Sequence, residues 1–240
     1  MGYRMAANLR RGLPQSSTLL INDLNKDACE QCKRELRTYG RVKIASTAKD
    51  AASQASTVIS IVTASSPHAR SVYLDAEKGV INAPPDAKRL MLECTGDGTL
   101  AFPTGHPAAS PTSLQARIQA AISPMASEDQ MIFCGDFPTG LESKIVNNYL
   151  ACSNMAVLAE ALAMGMANGV ERKTLLECFR KSNGYSWAVD YSQPIPGLYP
   201  GPASSEYEVS FLMPMILKDM DLGIGMAETG GTPTAIGRSC

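Results

Sequence analysis

The stretch Thr18-Leu19-Leu20-Ile21-Asn22-Asp23 decides how the first half of the chain is read. Its apolar residues run continuously instead of alternating, and the run stops on Asn22 and Asp23. A short continuous apolar run ended by turn formers reads as a strand covered on both faces. Strands of that kind belong to parallel sheets with helices on both sides. The neighbouring residues fit. Residues 3–11 read as a helix with Met5, Ala6 and Leu9 on its apolar side, stopped by Gly12 and Pro14. Residues 26–38 read as a charged helix with a turn at Tyr39-Gly40, followed by a short strand over 42–45.

The alternation continues. A short helix is expected over 49–53, and Thr57-Val-Ile-Ser-Ile-Val62 is a β-branched strand. Ser66-Pro67 opens a helix running to about Tyr73, and Gly79 to Pro85 is a turn region. Arg89-Leu-Met-Leu-Glu-Cys94 is the next strand, ending at Thr95-Gly96-Asp97-Gly98. Strands alternating with helices predict a parallel α/β sheet. Its ligand edge lies at the carboxyl ends of the strands, near Asp23, residues 62–65 and Thr95.

Residues 98–126 carry Pro103, Pro107, Pro111 and Pro124 and read as an irregular linker with a weak helix over 113–121. Met131 to Cys134 is a short strand candidate. From Leu141 the period changes: Ile145, Val146, Leu150, Met155, Leu158, Leu162 and Met166 predict a long helix ended by Gly169. A second helix follows over 171–181, then a stiff loop from Pro194 to Pro202, then a last helix from Met213 to Glu228. The expected division is therefore an α/β part over 1–130 and an all-helical part over 131–240.

Composition narrows the class. The chain has 240 residues, 45% of them hydrophobic and 19% charged, which suits a folded chain rather than a disordered one. A net charge of -1 gives no overall basic excess for nucleic acid or an anionic membrane. No window joins the length and apolarity of a membrane span. Ala151 to Val170 comes nearest, but with Asn154, Glu160 and Asn168 it reads as a buried helix. Cys29 and Cys32 lack a second ligand pair, so the seven scattered cysteines read as ordinary thiols in a reducing compartment. Two histidines are too few for a histidine-based metal cluster.

Several residues have the right chemistry for a site. An acidic residue at a strand end, such as Asp23, accepts from ribose hydroxyls and repels a 2′-phosphate in dinucleotide folds; it is also an ordinary turn residue. Lys144 and Asn148 stand one helical turn apart on one face. A lysine beside an amide can hold a substrate oxygen and donate a proton during carbonyl reduction; the same spacing also occurs on plain helix surfaces. Thr95-Gly96 could cradle a carboxylate or form a simple turn. Lys218-Asp219 places charges within an apolar helix, as an exposed stripe or as a site. Tyr185 and Trp187 read as core or interface.

These residues, taken together, resemble 3-hydroxyisobutyrate dehydrogenase, within the wider β-hydroxyacid and 6-phosphogluconate dehydrogenase family. Met1-Gly2-Tyr3-Arg4-Met5-Ala6-Ala7-Asn8-Leu9 resembles the segment M-G-x-x-M-A-x-N-L that follows the family's first strand, with Gly2 as the third fingerprint glycine. Without that context the same basic start could pass for a targeting helix. The resemblance places Asp23 at the ribose and the backbone of Val62 and Thr63 beside the nicotinamide. Glu93-Cys-Thr-Gly96 resembles D-x-S-T, so Thr95 and Gly96 would bind substrate. Gly140-Leu-Glu-Ser-Lys144-Ile-Val-Asn-Asn148 resembles G-x-x-x-K-x-x-N-N, making Lys144 the acid/base and Asn148 a substrate ligand. Ser182 to Trp187 resembles S-x-G-x-x-W. Phe211 with Leu217-Lys218-Asp219-Met220 resembles F-x-x-x-L-x-x-K-D-L, bringing Lys218 to cofactor or substrate.

The resemblance implies NAD as cofactor, a small 3-hydroxy acid or semialdehyde as substrate, a homo-oligomer, and the mitochondrial matrix, or the cytoplasm for a chain without an import signal. It departs from the family in three places. The usual first strand and first two fingerprint glycines are absent, residues 97–130 do not carry the family's D-A-P-V-S-G-G segment, and the chain stops soon after Gly237. The expected fold is thus an incomplete Rossmann-like parallel sheet lacking its usual first strand, followed by an all-helical domain. Three readings stay open: an active dehydrogenase, a reductase of a related small semialdehyde, and an inactive shortened paralogue that binds or modulates an oligomer.

Overall fold

The structure, a computed structural model, describes residues 2–61, 66–93, 100–103, 111–135, 139–198, 201–206, 208 and 213–239. Two compact units divide after Gly140. The first runs α1 (Gly2–Gly12), β1 (Thr18–Ile21), α2 (Lys26–Leu36), β2 (Arg41–Ile44), α3 (Ala48–Gln54), β3 (Thr57–Ser60), α4 (Ser66–Leu74), β4 (Leu90–Glu93), β5 (Leu100–Pro103), α5 (Pro111–Ile122) and β6 (Met131–Gly135). The second comprises most of α6 (Thr139–Ala167), then α7 (Arg172–Arg180), α8 (Trp187–Tyr191) and α9 (Met213–Thr229).

Local chemistry sets the element ends. Asn25 stops the chain after β1 and caps α2, its Oδ1 accepting from the Ala28 N–H at 3.0 Å. Thr47 does the same for α3, accepting from the Asp50 N–H at 3.0 Å. Gly40 turns the chain into β2 with φ 135°, a left-handed conformation that favours glycine.

Among the described residues the strands form three separate parallel pairs, β1 with β2, β3 with β4, and β5 with β6. Among these residues no ladder joins β1 to β3, so the sheet is incomplete as the sequence leads one to expect. Cys32, Leu36, Val42 and Ala7 pack into one core cluster between α1, α2 and β2. Leu90, Leu92, Ile118 and Ile122 form another between β4 and α5. The expected linker is corrected here: it contains β5, and the weak helix grows to the 12 residues of α5. A proline at the last residue of β5 is tolerated because the ladder with β6 is irregular there, with a register shift between Phe102 and Pro103. Pairing with β5 also holds β6 in the first unit, so the compact division falls ten residues beyond 130.

Arg10 is fully buried and makes no ion pair among the described residues. Its guanidinium instead donates to four carbonyls: Ser17 O at 2.7 Å, Leu13 O at 2.9 Å, Pro14 O at 2.6 Å and Arg41 O at 3.4 Å. It thereby ties the end of α1, the loop before β1 and the start of β2 together. Its Nε has no partner.

In the second unit, Leu158, Leu162, Leu176, Val189 and Ile195 form the core. The expectation of a buried helix near Ala151–Val170 is corrected. Val146, Leu150, Val157 and Met164 on α6 are all more than half exposed, because the packed elements cover only one side of it. By length and composition alone, α6 is apolar enough to cross a membrane, contrary to the sequence reading. Trp187 is also exposed rather than core, stacked on Tyr191 at 5.7 Å between ring centroids.

Candidate active site and cofactor edge

In the second unit, Lys144 and Asn148 lie one turn apart on α6, and both reach one carboxylate on α9. Lys144 Nζ donates to Asp219 Oδ2 at 2.9 Å, and Asn148 Nδ2 donates to the same oxygen at 2.6 Å. Lys218 Nζ stands 3.0 Å from the other oxygen, Oδ1. Gly223, one turn further along α9, keeps the helices close: a Cβ there would meet the Tyr149 ring at 3.3 Å. The Tyr149 hydroxyl accepts from the Gly237 N–H at 3.0 Å, fastening the chain end to α6.

Burial orders the members of this cluster. The Asp219 side chain is 4% exposed, that of Lys144 14%, and that of Lys218 39%. Burial works to raise the pKa of Asp219. It is outweighed by the hydrogen bonds from Lys144, Lys218 and Asn148 and by the charge of Lys144, which hold the carboxyl below its ordinary value. Asp219 is therefore ionised at neutral pH and fixes the Lys144 ammonium in a half-enclosed position. Among the described residues Asn148 commits one N–H, to Asp219, so its carbonyl and second N–H can meet a further partner. A placed ammonium beside a free amide can bind and protonate the oxygen of a small carbonyl compound.

Asp219 is the member to which sequence reasoning gave no role of its own. Its signal was present, since a carboxylate inside the apolar run of α9 must be exposed or paired. The register that turns it toward α6 is not visible in that run.

At the other candidate edge, in the first unit, Asp23 lies just past the carboxyl end of β1 and is exposed. Its Oδ1 accepts from the Asn25 N–H at 2.9 Å. The adjacent Asn22 donates to Ala45 O at 2.9 Å, joining the carboxyl ends of β1 and β2. Among the described residues Oδ2 of Asp23 takes no hydrogen bond, so it can accept from a pair of hydroxyls, the chemistry expected for a ribose. Gly2 opens α1, where unpaired N–H groups favour an anion. Among the described residues a Cβ on Gly2 would touch Ile61 alone, at an ordinary 3.9 Å, so their packing leaves room over this helix end. Asp23 and Gly2 both fit a dinucleotide. Val62, Thr63, Thr95 and Gly96 lie outside the described residues.

Known proteins resemble the chain along its whole length. Residues 139–240 match the family described as NAD-binding of NADP-dependent 3-hydroxyisobutyrate dehydrogenase. An NAD-dependent L-serine dehydrogenase of Pseudomonas aeruginosa is 29% identical, with 99% of this chain and 85% of the relative covered. The mitochondrial 3-hydroxyisobutyrate dehydrogenase of Rattus norvegicus is 28% identical over 99% of this chain and 76% of its own length. A solved structure of Mycobacterium tuberculosis 3-hydroxyisobutyrate dehydrogenase with L-serine has the same fold, with a TM-score of 0.77 at 22% identity, over 100% of this chain and 87% of that one.

Proposed function

The chain belongs to the 3-hydroxyisobutyrate dehydrogenase family of 6-phosphogluconate dehydrogenase-like, NAD-binding proteins, and from that premise we propose that it oxidises a small 3-hydroxy acid. NAD is the cofactor of this family member, and when bound it supplies the acceptor for a hydride. The observation that carries the proposal is the cluster of Lys144, Asn148 and Asp219 within the second unit.

In this reading Lys144 is the acid/base. The ammonium held by Asp219 gives a proton to the carbonyl oxygen in the reductive direction; in oxidation Nζ first releases that proton to solvent and, as the neutral amine, takes the one from the substrate hydroxyl. Asn148 orients that oxygen through its uncommitted amide groups. Asp219 is a positioning residue, holding Nζ on one side of α6. Lys218 shares Asp219 and is exposed enough to reach a cofactor or substrate anion. Thr95 and Gly96 are assigned to the substrate carboxylate, and Val62 and Thr63 to the nicotinamide, by the family motif alone. Asp23 selects NAD over a 2′-phosphorylated dinucleotide because its carboxylate repels the phosphate, and Gly2 keeps the α1 start open for the diphosphate.

Two substrates follow from the relatives, 3-hydroxyisobutyrate and L-serine, and both are 3-hydroxy acids. A comparison of kcat/KM for the two, with succinic semialdehyde and glyoxylate tested in the reductive direction, checks the class. The proposal expects a 3-hydroxy acid to be preferred, and a higher kcat/KM for glyoxylate would contradict it. The half-exposed apolar side of α6 supports self-association, which sedimentation would detect as a dimer or larger. A place in the mitochondrial matrix is part of the same proposal, supported by the rat relative's name.

A further inference from the structure

The amino-terminal ends of β1 and β2 lie opposite the edge that carries Asp23, since Thr18 pairs with Arg41 at one end and Ile21 with Ile44 at the other. At that opposite end the last turns of α2, Gly40 and the start of β2 enclose a surface cavity of about 430 Å³. Lys33, Arg34, Arg37 and Arg41 line it, and Glu30 is the one carboxylate among the lining residues.

Among the described residues their charges are only partly balanced. Glu30 lies 3.9 Å from Lys33, while the side chains of Arg34, Arg37 and Arg41 have no ion pair among the described residues. Glu35, the nearest other carboxylate in sequence, is engaged elsewhere, by Gln31 at 2.8 Å and by the Tyr3 hydroxyl. Lys33 and Arg34 sit in the last turn of α2, where the helix dipole favours cations. Arg37 and Arg41 lie beyond that turn and gain less from it.

A fifth cation stands behind the wall. A Cβ on Gly40 would come within 2.9 Å of Arg10 Cζ, so the buried guanidinium lies directly beneath this lining residue. Among the described residues Arg10 is met by carbonyls, with Nε unpartnered and no carboxylate paired with its charge. Converging like charges oppose folding, and a multivalent anion relieves that repulsion while meeting the forked donors of arginine.

We propose that this cavity is a binding site for a small ligand carrying two linked phosphoryl groups, separate from the cofactor edge. Four lining cations against one carboxylate leave a surplus of three positive charges, which suits a diphosphate better than a single phosphate. Inorganic pyrophosphate is the probe, titrated calorimetrically into the full chain at physiological ionic strength, with and without saturating NAD. Saturable binding is expected, with the Arg34→Gln/Arg37→Gln variant weakened about tenfold or more by loss of two guanidinium forks. Glu30→Gln should bind severalfold more tightly, an effect that a purely structural role for these residues would not produce. The two variants change exposed side chains, and circular dichroism checks their folding. Absence of saturable binding, equal affinity in the double variant, or displacement of pyrophosphate by NAD would each overturn the assignment. None of these results depends on turnover, so the dehydrogenase reading stands or falls separately.

Discussion

Replacing Asp219 with alanine removes the carboxylate that three donors share. Lys144, 14% exposed, is left without its counter-charge in a half-enclosed place. Lys218, at 39%, can turn to water and contributes little. Removing one partner from a buried ion pair costs about 3–5 kcal/mol. The lower end applies because Lys144 is not fully enclosed, which corresponds to a fall of roughly 6–12 °C in Tm for a chain of this size. The pH dependence has a definite sign. The folded carboxyl is held below its ordinary pKa of 3.8, so its stabilisation is complete above that value and is lost as pH falls toward the folded pKa. Urea unfolding of wild type and variant followed by far-UV circular dichroism should show a full gap at pH 7 that narrows below about pH 4. A gap under about 0.5 kcal/mol at pH 7, the range of ordinary surface substitutions, would refute the reasoning, as would a gap that does not change with pH.

Other expectations test separate parts of the account. Arg10→Ala strands four carbonyl acceptors around a void and should cost on the order of 3 kcal/mol, read by the same unfolding experiment. Asn25→Ala removes the α2 cap and should cost about 1 kcal/mol. Asp23→Ala should shrink the preference for NAD over NADP by about tenfold, measured as a ratio of dissociation constants. Unchanged selectivity would remove Asp23 from the ribose site.

Much of the first unit was legible because its strands are short, apolar and punctuated by Asn22, Gly40 and similar turn residues. β5 was not. Leu100-Ala-Phe-Pro103 follows Gly96 and Gly98 and precedes Gly105 and Pro107, and its pairing with β6 is what makes it a strand. Lys144 and Asn148 were legible as a one-turn pair, because helical spacing is a local property. Asp219 was not, since its role depends on α9 lying against α6 with Gly223 at the contact. Arg10 escaped notice for the same reason: a basic residue near a helix end reads as solvated until the carbonyls of the following loop close over it. The reading of Ala151 to Val170 as a buried helix failed because burial on α6 is decided by what packs against it, which its own apolar run does not show.

The central claim is that Lys144, placed by Asp219, performs proton transfer for oxidation of a 3-hydroxy acid. It is tested most directly by NADH formation from the purified chain with 3-hydroxyisobutyrate and with L-serine, beside a Lys144→Ala variant of verified fold. The account expects turnover by the wild type and a loss of about 10²–10⁴-fold in the variant, the usual worth of a placed acid/base group. No turnover from folded wild-type protein on either substrate, or equal rates in the two proteins, would contradict it.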